Sequence, residues 1–324
     1  MALADVIGQE SALRILRGAL ERGRLASSYL FAGEEGIGKR FTAFNLAKAL
    51  NCLHPSGGDA CGRCPSCRKM EAGTHLDFKV VEPDGDQIKV EQIREIEEIL
   101  SLKPYEGGVK ALVVDDAERM NTYAANAFLK TLEEPSPQTL IVLVSANPDW
   151  LPLTIRSRCS RVNFTPLSPA DCEAVIRKGP GSAKPEKTEA LVRLSMGRPG
   201  LVLREDPVKE RDKFFATLRK MVRREGRPAW RERSDMQRWL EMSLVFLRDL
   251  AVCAVAGGEG GRGELVNTDM EAEIVRMAGG VTVESVMECY GKMLGLVAGL
   301  RFNPNKAITW NYAGSAMESA GIVG

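Results

Sequence analysis

The stretch FAGEEGIGKR, residues 31–40, has the glycine and lysine spacing of a phosphate-binding loop. The pattern consists of Gly33, Gly36, Gly38 and Lys39. In such loops the backbone N–H groups, the positive end of the next helix and the lysine together bind phosphate oxygens. Arg40 then stands where a Ser or Thr hydroxyl would ligate magnesium, and a guanidinium group cannot ligate a cation. The stretch therefore predicts a loop descended from a nucleotide site that has lost its metal ligand.

Two acidic residues in LVVDDAE form the second part of such a site. Asp115, at the end of a predicted strand, is placed to hold magnesium through water, and Asp116 stands where active ATPases of this type carry Glu to polarise the attacking water. Asp is one methylene shorter than Glu, and catalysis is sensitive to displacements of about 1 Å. The alternative interpretation is an acidic strand end that faces solvent. Arg40 and Asp116 together predict impaired or absent ATP hydrolysis, and they leave open whether nucleotide is still bound.

Four cysteines lie close together in CLHPSGGDACGRCPSC. Cys52, Cys61, Cys64 and Cys67 follow a C-x8-C-x2-C-x2-C spacing, which is typical of a tetrahedral zinc site. Free structural thiols or a redox pair are the alternatives, but metal ligation is the usual role of clustered thiols in a reducing compartment. Four thiolates leave no open position on the metal, so the predicted zinc is structural. His54 is not needed as a ligand.

The composition excludes a general electrostatic attraction to nucleic acid or to membranes. The 324 residues include 44 Lys and Arg against 43 Asp and Glu. A nucleic-acid contact would have to come from a local patch or from partner chains. No stretch is apolar enough to span a bilayer, and the N-terminal stretch lacks the basic start and apolar run of a signal peptide. We expect a cytoplasmic protein.

Strand and helix patterns alternate around these motifs in the first half of the chain. The predicted strands cover residues 27–33, 77–83, 110–118, 139–148 and 160–164. The predicted helices between them cover residues 39–50, 89–102 and 122–135. Continuous apolar runs are typical of strands buried in a parallel sheet, and the alternation predicts an α/β domain with such a sheet.

From about residue 166 onward the patterns are helical only. Predicted helices at 167–178 and 187–205 are separated by a loop at 179–185. Further helices follow from residue 207, with a glycine-rich link at 257–264. Two of these helices are predicted at 281–300 and 304–319. We therefore predict an α/β domain, a small helical domain and a C-terminal helical domain.

Four motifs in this order resemble those of the clamp-loader group of AAA+ proteins. They are the phosphate loop, the cysteine cluster, AANAFLKTLEEP and TIRSRC. Within this group the sequence is most similar to the delta-prime family of bacterial DNA polymerase III subunits. The resemblance implies a P-loop, RecA-like AAA+ domain at 1–165 with a four-cysteine zinc module at 52–67. It also implies a small helical lid domain at 166–206 and a helical collar domain for oligomerisation at 207–324.

The resemblance also implies roles for residues outside the loop. Arg158 in Ser157-Arg158-Cys159 matches an arginine finger, which acts in trans on the γ-phosphate bound by a neighbouring subunit. The planar fork of arginine suits bidentate phosphate binding. Taken alone, Arg158 is equally well a helix-terminal salt bridge. Ser145 or Asn147 matches a polar residue that senses the γ-phosphate, and the sequence does not fix which of them aligns.

Two further stretches bear on nucleotide binding in this resemblance. VIGQE, residues 6–10, matches the stretch that lines the adenine pocket in active relatives. In GRPG, Gly200 takes the place of an arginine that active loaders carry at a Gly-x-x-Arg spacing. Arg198 is two residues away, which puts it on another side of a helix. The resemblance therefore implies that a third phosphate contact is missing.

These features predict a clamp-loader subunit that does not hydrolyse ATP itself and supplies Arg158 to a neighbouring ATPase subunit. The implied partners are gamma/tau-like and delta-like loader subunits, with the sliding clamp and primed DNA reached through the complex. The implied cofactor is structural zinc, whereas ATP with magnesium is not expected to act in this chain. One alternative is the active ATPase motor subunit of the loader. Another is a stand-alone zinc-dependent nucleic-acid-binding protein, against which the near-neutral charge argues.

Overall fold

The computed structural model describes most of the chain in two compact units. The first unit contains Met1–Lys178 and Gly197–Leu201, and the second contains Gly179–Met196 and Val202–Gly324. The described residues are 1–106, 108–179, 185–204, 207–223, 230, 232–256, 264–302 and 304–322. The loop predicted at 179–185 and the link predicted at 257–264 lie mostly outside them.

A five-stranded parallel sheet forms the centre of the first unit, in the order β2-β3-β4-β1-β5. Its strands are β1 Ser28–Ala32, β2 Phe78–Val81, β3 Lys110–Val114, β4 Thr139–Ser145 and β5 Ser160–Asn163. β1, β3 and β4 are buried along their whole length, as their continuous apolar runs predict. The predicted parallel α/β sheet is confirmed.

The direction of the strands decides where the candidate site lies. Because all five strands are parallel, the segments that follow β1, β3 and β4 emerge at the same edge of the sheet. The register places Ala32 of β1 opposite Ser145 of β4, and Val114 of β3 opposite Leu143. The phosphate loop, Asp115 and the segment after Ser145 therefore meet at this edge.

Helices of the first unit flank the sheet or connect its strands. They are α1 Glu10–Glu21, α2 Lys39–Leu50, α3 Pro65–Glu71, α4 Val90–Ser101, α5 Thr122–Glu133, α6 Leu153–Arg156 and α7 Pro169–Lys178. The apolar residues of α4 recur at helical spacing, and Ile93, Ile96 and Leu100 are buried in the core beside Phe128 of α5. This packing fixes α4 and α5 on the sheet.

The helix predicted at 187–205 is in fact two helices, α8 Pro185–Ser195 and α9 Pro199–Arg204. Between them Met196 and Gly197 adopt left-handed backbone angles, with φ of 48° and 81°. A left-handed residue ends a helix, and proline is favoured in the first turn of the next one. The apolar spacing continues across this break, which is why the pattern predicted a single helix. As a result, residues 197–201 belong to the first unit and reach the phosphate loop.

The second unit is helical throughout its described residues. Besides α8 and the end of α9 it contains α10 Pro207–Val222, α11 Arg233–Val255, α12 Glu271–Ala278, α13 Val283–Gly299 and α14 Lys306–Ser319. Aromatic rings join these helices, with centroid distances of 5.2 Å between Phe214 and Trp239 and 5.1 Å between Trp230 and Trp310. Its helical content agrees with the sequence, while the division into a lid and a collar stays a prediction. In the described part of the chain, no helix has the length and apolar character needed to cross a membrane.

Candidate functional site

The phosphate loop has the backbone conformation that its glycines predict. Gly33, Gly36 and Gly38 have φ of 149°, 78° and 96°, and α2 begins directly after Gly38. These positive angles favour glycine. At Gly33 the fit is also steric, because an added Cβ would lie 2.4 Å from the carbonyl oxygen of Phe164. The Gly33 N–H donates to the Ser145 carbonyl at 3.2 Å, which attaches the loop to the end of β4.

Lys39 is directed at its own loop. The side chain is buried, and its ammonium group donates to the carbonyl oxygens of Gly33 and Glu34. Burial lowers the pKa of Lys39, and the negative charges of Glu118 and Asp115 partly oppose this shift. The ammonium group of Lys39, which the sequence predicts to bind phosphate, therefore already donates to two carbonyls of its own loop.

Arg40 contacts the acidic half of the site. Its Nη1 donates to Asp115 Oδ2 at 2.9 Å and also to the carboxylate of Glu82. Burial works against the charged form, but the hydrogen bond to Glu82 and the charge of Asp115 outweigh it and raise the pKa of Arg40. Magnesium would need this space next to Asp115, so the guanidinium group and a metal ion compete for the same carboxylate. The residues present do not fit a magnesium nucleotide.

Asp116 lies beside Asp115 in a strained backbone conformation. Its φ is 47°, and a short 3-10 helix at Ala117–Arg119 follows, so β3 ends earlier than predicted. Burial, together with the charges of Glu118 and Asp115, raises the pKa of Asp116 to about 6. The Arg119 guanidinium lies 3.6 Å from its carboxylate and opposes this shift.

Glu118 is a site residue that the sequence analysis missed. Its Oε1 accepts hydrogen bonds from the backbone N–H groups of Ala146 and Asn147, each at 3.0 Å. This carboxylate therefore fixes the segment after β4 to the end of β3. Of the two candidates for the phosphate-sensing residue, Ser145 is fully buried in register with Ala32, whereas the Asn147 amide lies 3.5 Å from Glu118. The one available signal was the position of Glu118 just after the acidic pair.

The GRPG stretch, residues 197–200, contacts the phosphate loop at Gly36 and Glu34. The Gly200 N–H donates to the Gly36 carbonyl at 2.8 Å, and a Cβ on Gly200 would lie 2.8 Å from the same oxygen. Arg198 precedes α9 rather than lying within a helix, and its Nε is 3.7 Å from Glu34. The expectation that Arg198 points to another side of a helix is therefore wrong, because the helix ends before Met196 and the next one begins only at Pro199. Arg198 is at the loop, paired with an acidic residue of that loop.

The VIGQE stretch also contacts the loop, through Gln9. The buried Gln9 side-chain amide donates to the carbonyls of Ile37, at 3.1 Å, and Thr165, at 2.8 Å. Its oxygen accepts from the Thr165 N–H at 3.2 Å. Each polar atom of this side chain is therefore used within the protein.

Arg158 lies away from the loop, at the opposite edge of the sheet. It comes shortly before β5, whose first residue, Ser160, is in register with Tyr29 at the beginning of β1. The loop follows the other end of β1, about 13 Å further along at about 3.3 Å per residue. Arg158 donates to Glu133 from Nε, at 2.8 Å, and from Nη2, and its Nη1 donates to the Thr154 carbonyl at 2.7 Å. The salt bridge that was the alternative interpretation of Arg158 is therefore present in the single chain.

The four clustered cysteines converge on one point. The sulfur atoms of Cys52, Cys61, Cys64 and Cys67 all lie within 4.8 Å of one another. Four thiolates around a tetrahedral zinc, each about 2.3 Å from the metal, would lie about 3.8 Å apart, so the set fits the ion after a small contraction. Backbone N–H groups of Arg63 and Cys64 lower the pKa of Cys61 to about 6, whereas burial raises the pKa of Cys67 to about 12. The cluster can therefore bind a metal ion such as zinc.

The cysteine module also holds the N-terminal segment. Asp59 accepts hydrogen bonds from the backbone N–H groups of Leu3 and Ala4, at 2.9 and 2.8 Å. On the other side, Ser66 donates to the Asn51 carbonyl at the end of α2, at 2.6 Å. A metal that fixes the module thereby also fixes the chain before α1.

Comparisons with known proteins agree with the fold and with the motifs. A family model described as DNA polymerase III, delta subunit, matches residues 8–168. The DNA polymerase III subunit delta' of Bacillus subtilis is 30% identical over 295 residues, which cover 86% of this chain and 86% of that protein. The chain belongs to the delta-prime family. The resemblance drawn from the motifs is confirmed.

Two further relatives show how far the similarity extends. The DNA polymerase III subunit delta' of Pseudomonas aeruginosa is 38% identical over 200 residues, or 61% of this chain and 60% of that protein. The tau/gamma subunit of Haemophilus influenzae is 38% identical over 164 residues, which are 51% of this chain and only 24% of that protein. The match to the delta-prime protein of Bacillus subtilis thus covers much more of this chain than the match to tau/gamma does.

Proposed function

We propose that this chain is the delta-prime subunit of a bacterial clamp loader and that it does not hydrolyse ATP itself. The observation that carries the second part is the contact of Arg40 with Asp115, because it puts a fixed cation where a catalytic metal would be needed. Lys39 is likewise occupied by the carbonyls of Gly33 and Glu34. Asp116 and Gly200 are the two further departures from an active site.

Arg158 is the residue that we assign to chemistry. Its place at the sheet edge opposite the loop supports a role in trans, since it would not reach a phosphate on its own loop without crossing the sheet. About a third of its side chain is exposed. In this proposal Arg158 is an arginine finger that stabilises the charge on the γ-phosphate of an ATP bound by the neighbouring subunit.

The cysteine module is proposed to bind one structural zinc ion through Cys52, Cys61, Cys64 and Cys67. Zinc supplies a rigid tetrahedral cross-link, and with four protein ligands it has no position for substrate. The hydrogen bonds of Asp59 to Leu3 and Ala4 support a stabilising role for the module.

The partners follow from the family. We propose that the chain assembles with gamma/tau-like and delta-like subunits, and that it meets the sliding clamp and primed DNA as part of that complex. The helical residues at 166–206 and 207–324 would form the lid and the collar. As a subunit of a DNA polymerase, the protein would work in the cytoplasm.

ATPase measurements on the isolated chain and on the assembled loader test the proposal. Arg158→Ala should leave this chain folded and lower ATP turnover at the neighbouring site by about 10³-fold or more, the range found for arginine fingers. An unchanged rate in a fully assembled complex would remove the finger role. Turnover by the isolated chain that disappears with Lys39→Ala would instead support the motor-subunit alternative.

A further inference from the structure

Arg158 is anchored to its own chain on two sides of the guanidinium group. Nε and Nη2 both donate to Glu133 Oε1, with the Nε distance at 2.8 Å. Nη1 donates to the Thr154 carbonyl at 2.7 Å. Glu133 is the last residue of α5, and Thr154 lies in α6, so two helices hold one side chain.

These anchors leave part of the guanidinium group available. An arginine has five N–H donors, and the contacts with Glu133 and Thr154 use one on each of its three nitrogens. One further N–H remains on Nη1 and one on Nη2. The neighbour of the remaining Nη1 donor is Ser157 Oγ at 3.5 Å, the upper limit for a hydrogen bond. The second Nη2 donor and the Nη1 donor with this long contact are therefore the ones that can turn to the oxygens of a phosphate.

We propose that Glu133 is a positioning residue, which orients Arg158 so that its two remaining donors face the phosphate of a neighbouring subunit. The inference rests on the proposed function of Arg158. A long arginine side chain otherwise samples many rotamers, and ordering it in advance removes that entropic cost from the step in which it acts. The phosphate can be engaged without breaking the contact to Glu133.

A purely structural salt bridge makes a different prediction. Glu133 and Arg158 are exposed by 48% and 32%, and ion pairs with this exposure add little to stability. If the pair only held α5 against the segment before β5, loss of Glu133 would change neither assembly nor turnover. A positioning role predicts a loss of rate in a complex that assembles and binds ATP normally.

The test uses the assembled loader with Glu133→Gln, Glu133→Asp and the matched control Glu134→Gln. Glu134 is an exposed glutamate directly after Glu133. Glu133→Gln keeps the size of the side chain, removes its charge and should lower kcat for ATP about tenfold to hundredfold, with KM unchanged. Glu133→Asp should restore part of the rate, because it keeps the charge, and Glu134→Gln should behave as the wild type.

Arg158→Ala, measured in parallel, separates the two proposals. A wild-type rate for Glu133→Gln combined with a large loss for Arg158→Ala would overturn the positioning role and leave the finger intact. A rise in KM, or a loss of assembly on size-exclusion chromatography, would also overturn it, since either result indicates a structural role. If Arg158→Ala has no effect, the proposed function fails and the positioning role fails with it.

Discussion

Replacing Arg40 with threonine removes the cation that neutralises Asp115 and supplies the hydroxyl that phosphate loops carry at this position. In the native chain Asp115 is 16% exposed and accepts a 2.9 Å hydrogen bond from Arg40 Nη1. After the change its carboxylate keeps a 3.2 Å hydrogen bond from the Asp116 N–H. The variant therefore leaves a mostly buried negative charge next to Asp116 without its ion-pair partner.

The expected loss in the free energy of unfolding lies between the values for exposed and for buried ion pairs. Exposed pairs contribute about 0.2–1 kcal/mol, whereas removing one partner of a buried pair costs about 3–5 kcal/mol. With Asp115 mostly buried and Arg40 42% exposed, a loss of about 1–2 kcal/mol is expected. For a domain of this size, each 1 kcal/mol lowers Tm by about 2–4 °C, so Tm should fall by about 2–8 °C.

The assay is thermal unfolding of the wild type, Arg40→Thr and the control Arg14→Thr, without added magnesium and with millimolar Mg²⁺. Arg14 is an exposed residue of α1, so its replacement measures the helix propensity cost alone. Magnesium should recover part of the Tm of Arg40→Thr, because a divalent ion can replace the guanidinium group beside Asp115, and should leave the other two proteins unchanged. Equal Tm losses in the two variants, or a wild type stabilised by Mg²⁺, would refute the reasoning.

Two further predictions concern the metal and pH. Natively purified protein should contain about one zinc per chain. Chelation should speed hydrogen exchange at residues 52–67 and, through Asp59, at Leu3 and Ala4. Native protein without zinc would contradict the proposed zinc site. Because the pKa of Asp116 is raised to about 6, its carboxyl group costs stability once it ionises, a penalty absent below about pH 4 and complete above about pH 7. Asp116→Asn should therefore stabilise the protein by about 1 kcal/mol at pH 7.5, after discounting for solvent screening, and by much less at pH 4.5. Unfolding measured at both pH values checks this, and an equal gain at both would contradict it.

The sheet was predictable because its signal is local. β1, β3 and β4 are continuous apolar runs, and such runs are typical of strands that a parallel sheet buries on both faces. The ends of the strands were less predictable. The strand predicted at 110–118 ends at Val114, because Asp116 adopts a left-handed conformation that allows Glu118 to reach Ala146 and Asn147.

The contacts that the sequence analysis missed share a physical reason. Glu82 and Asp115 are 42 and 75 positions from Arg40, and neither its type nor its spacing links Glu82 to the loop. Arg198 was misplaced because a helix break at Met196 and Gly197 depends on backbone conformation that apolar spacing does not record. The sequence shows which residues differ from those of an active loop. It does not show which residues they contact.

Arg40 and Arg158 show how position decides what an arginine does. Arg40 forms ion pairs with two carboxylates of its own chain, at the sheet edge where a nucleotide would bind. Arg158 lies at the opposite edge, where its guanidinium group contacts Glu133, Thr154 and, at 3.5 Å, Ser157 Oγ. The two sites are therefore separable, and we expect Arg40→Thr to leave the contacts of Arg158 and its proposed role at a neighbouring site unchanged. The same change would not by itself create an ATPase, because Asp116 is still one methylene short and Gly200 still has no side chain to contact phosphate.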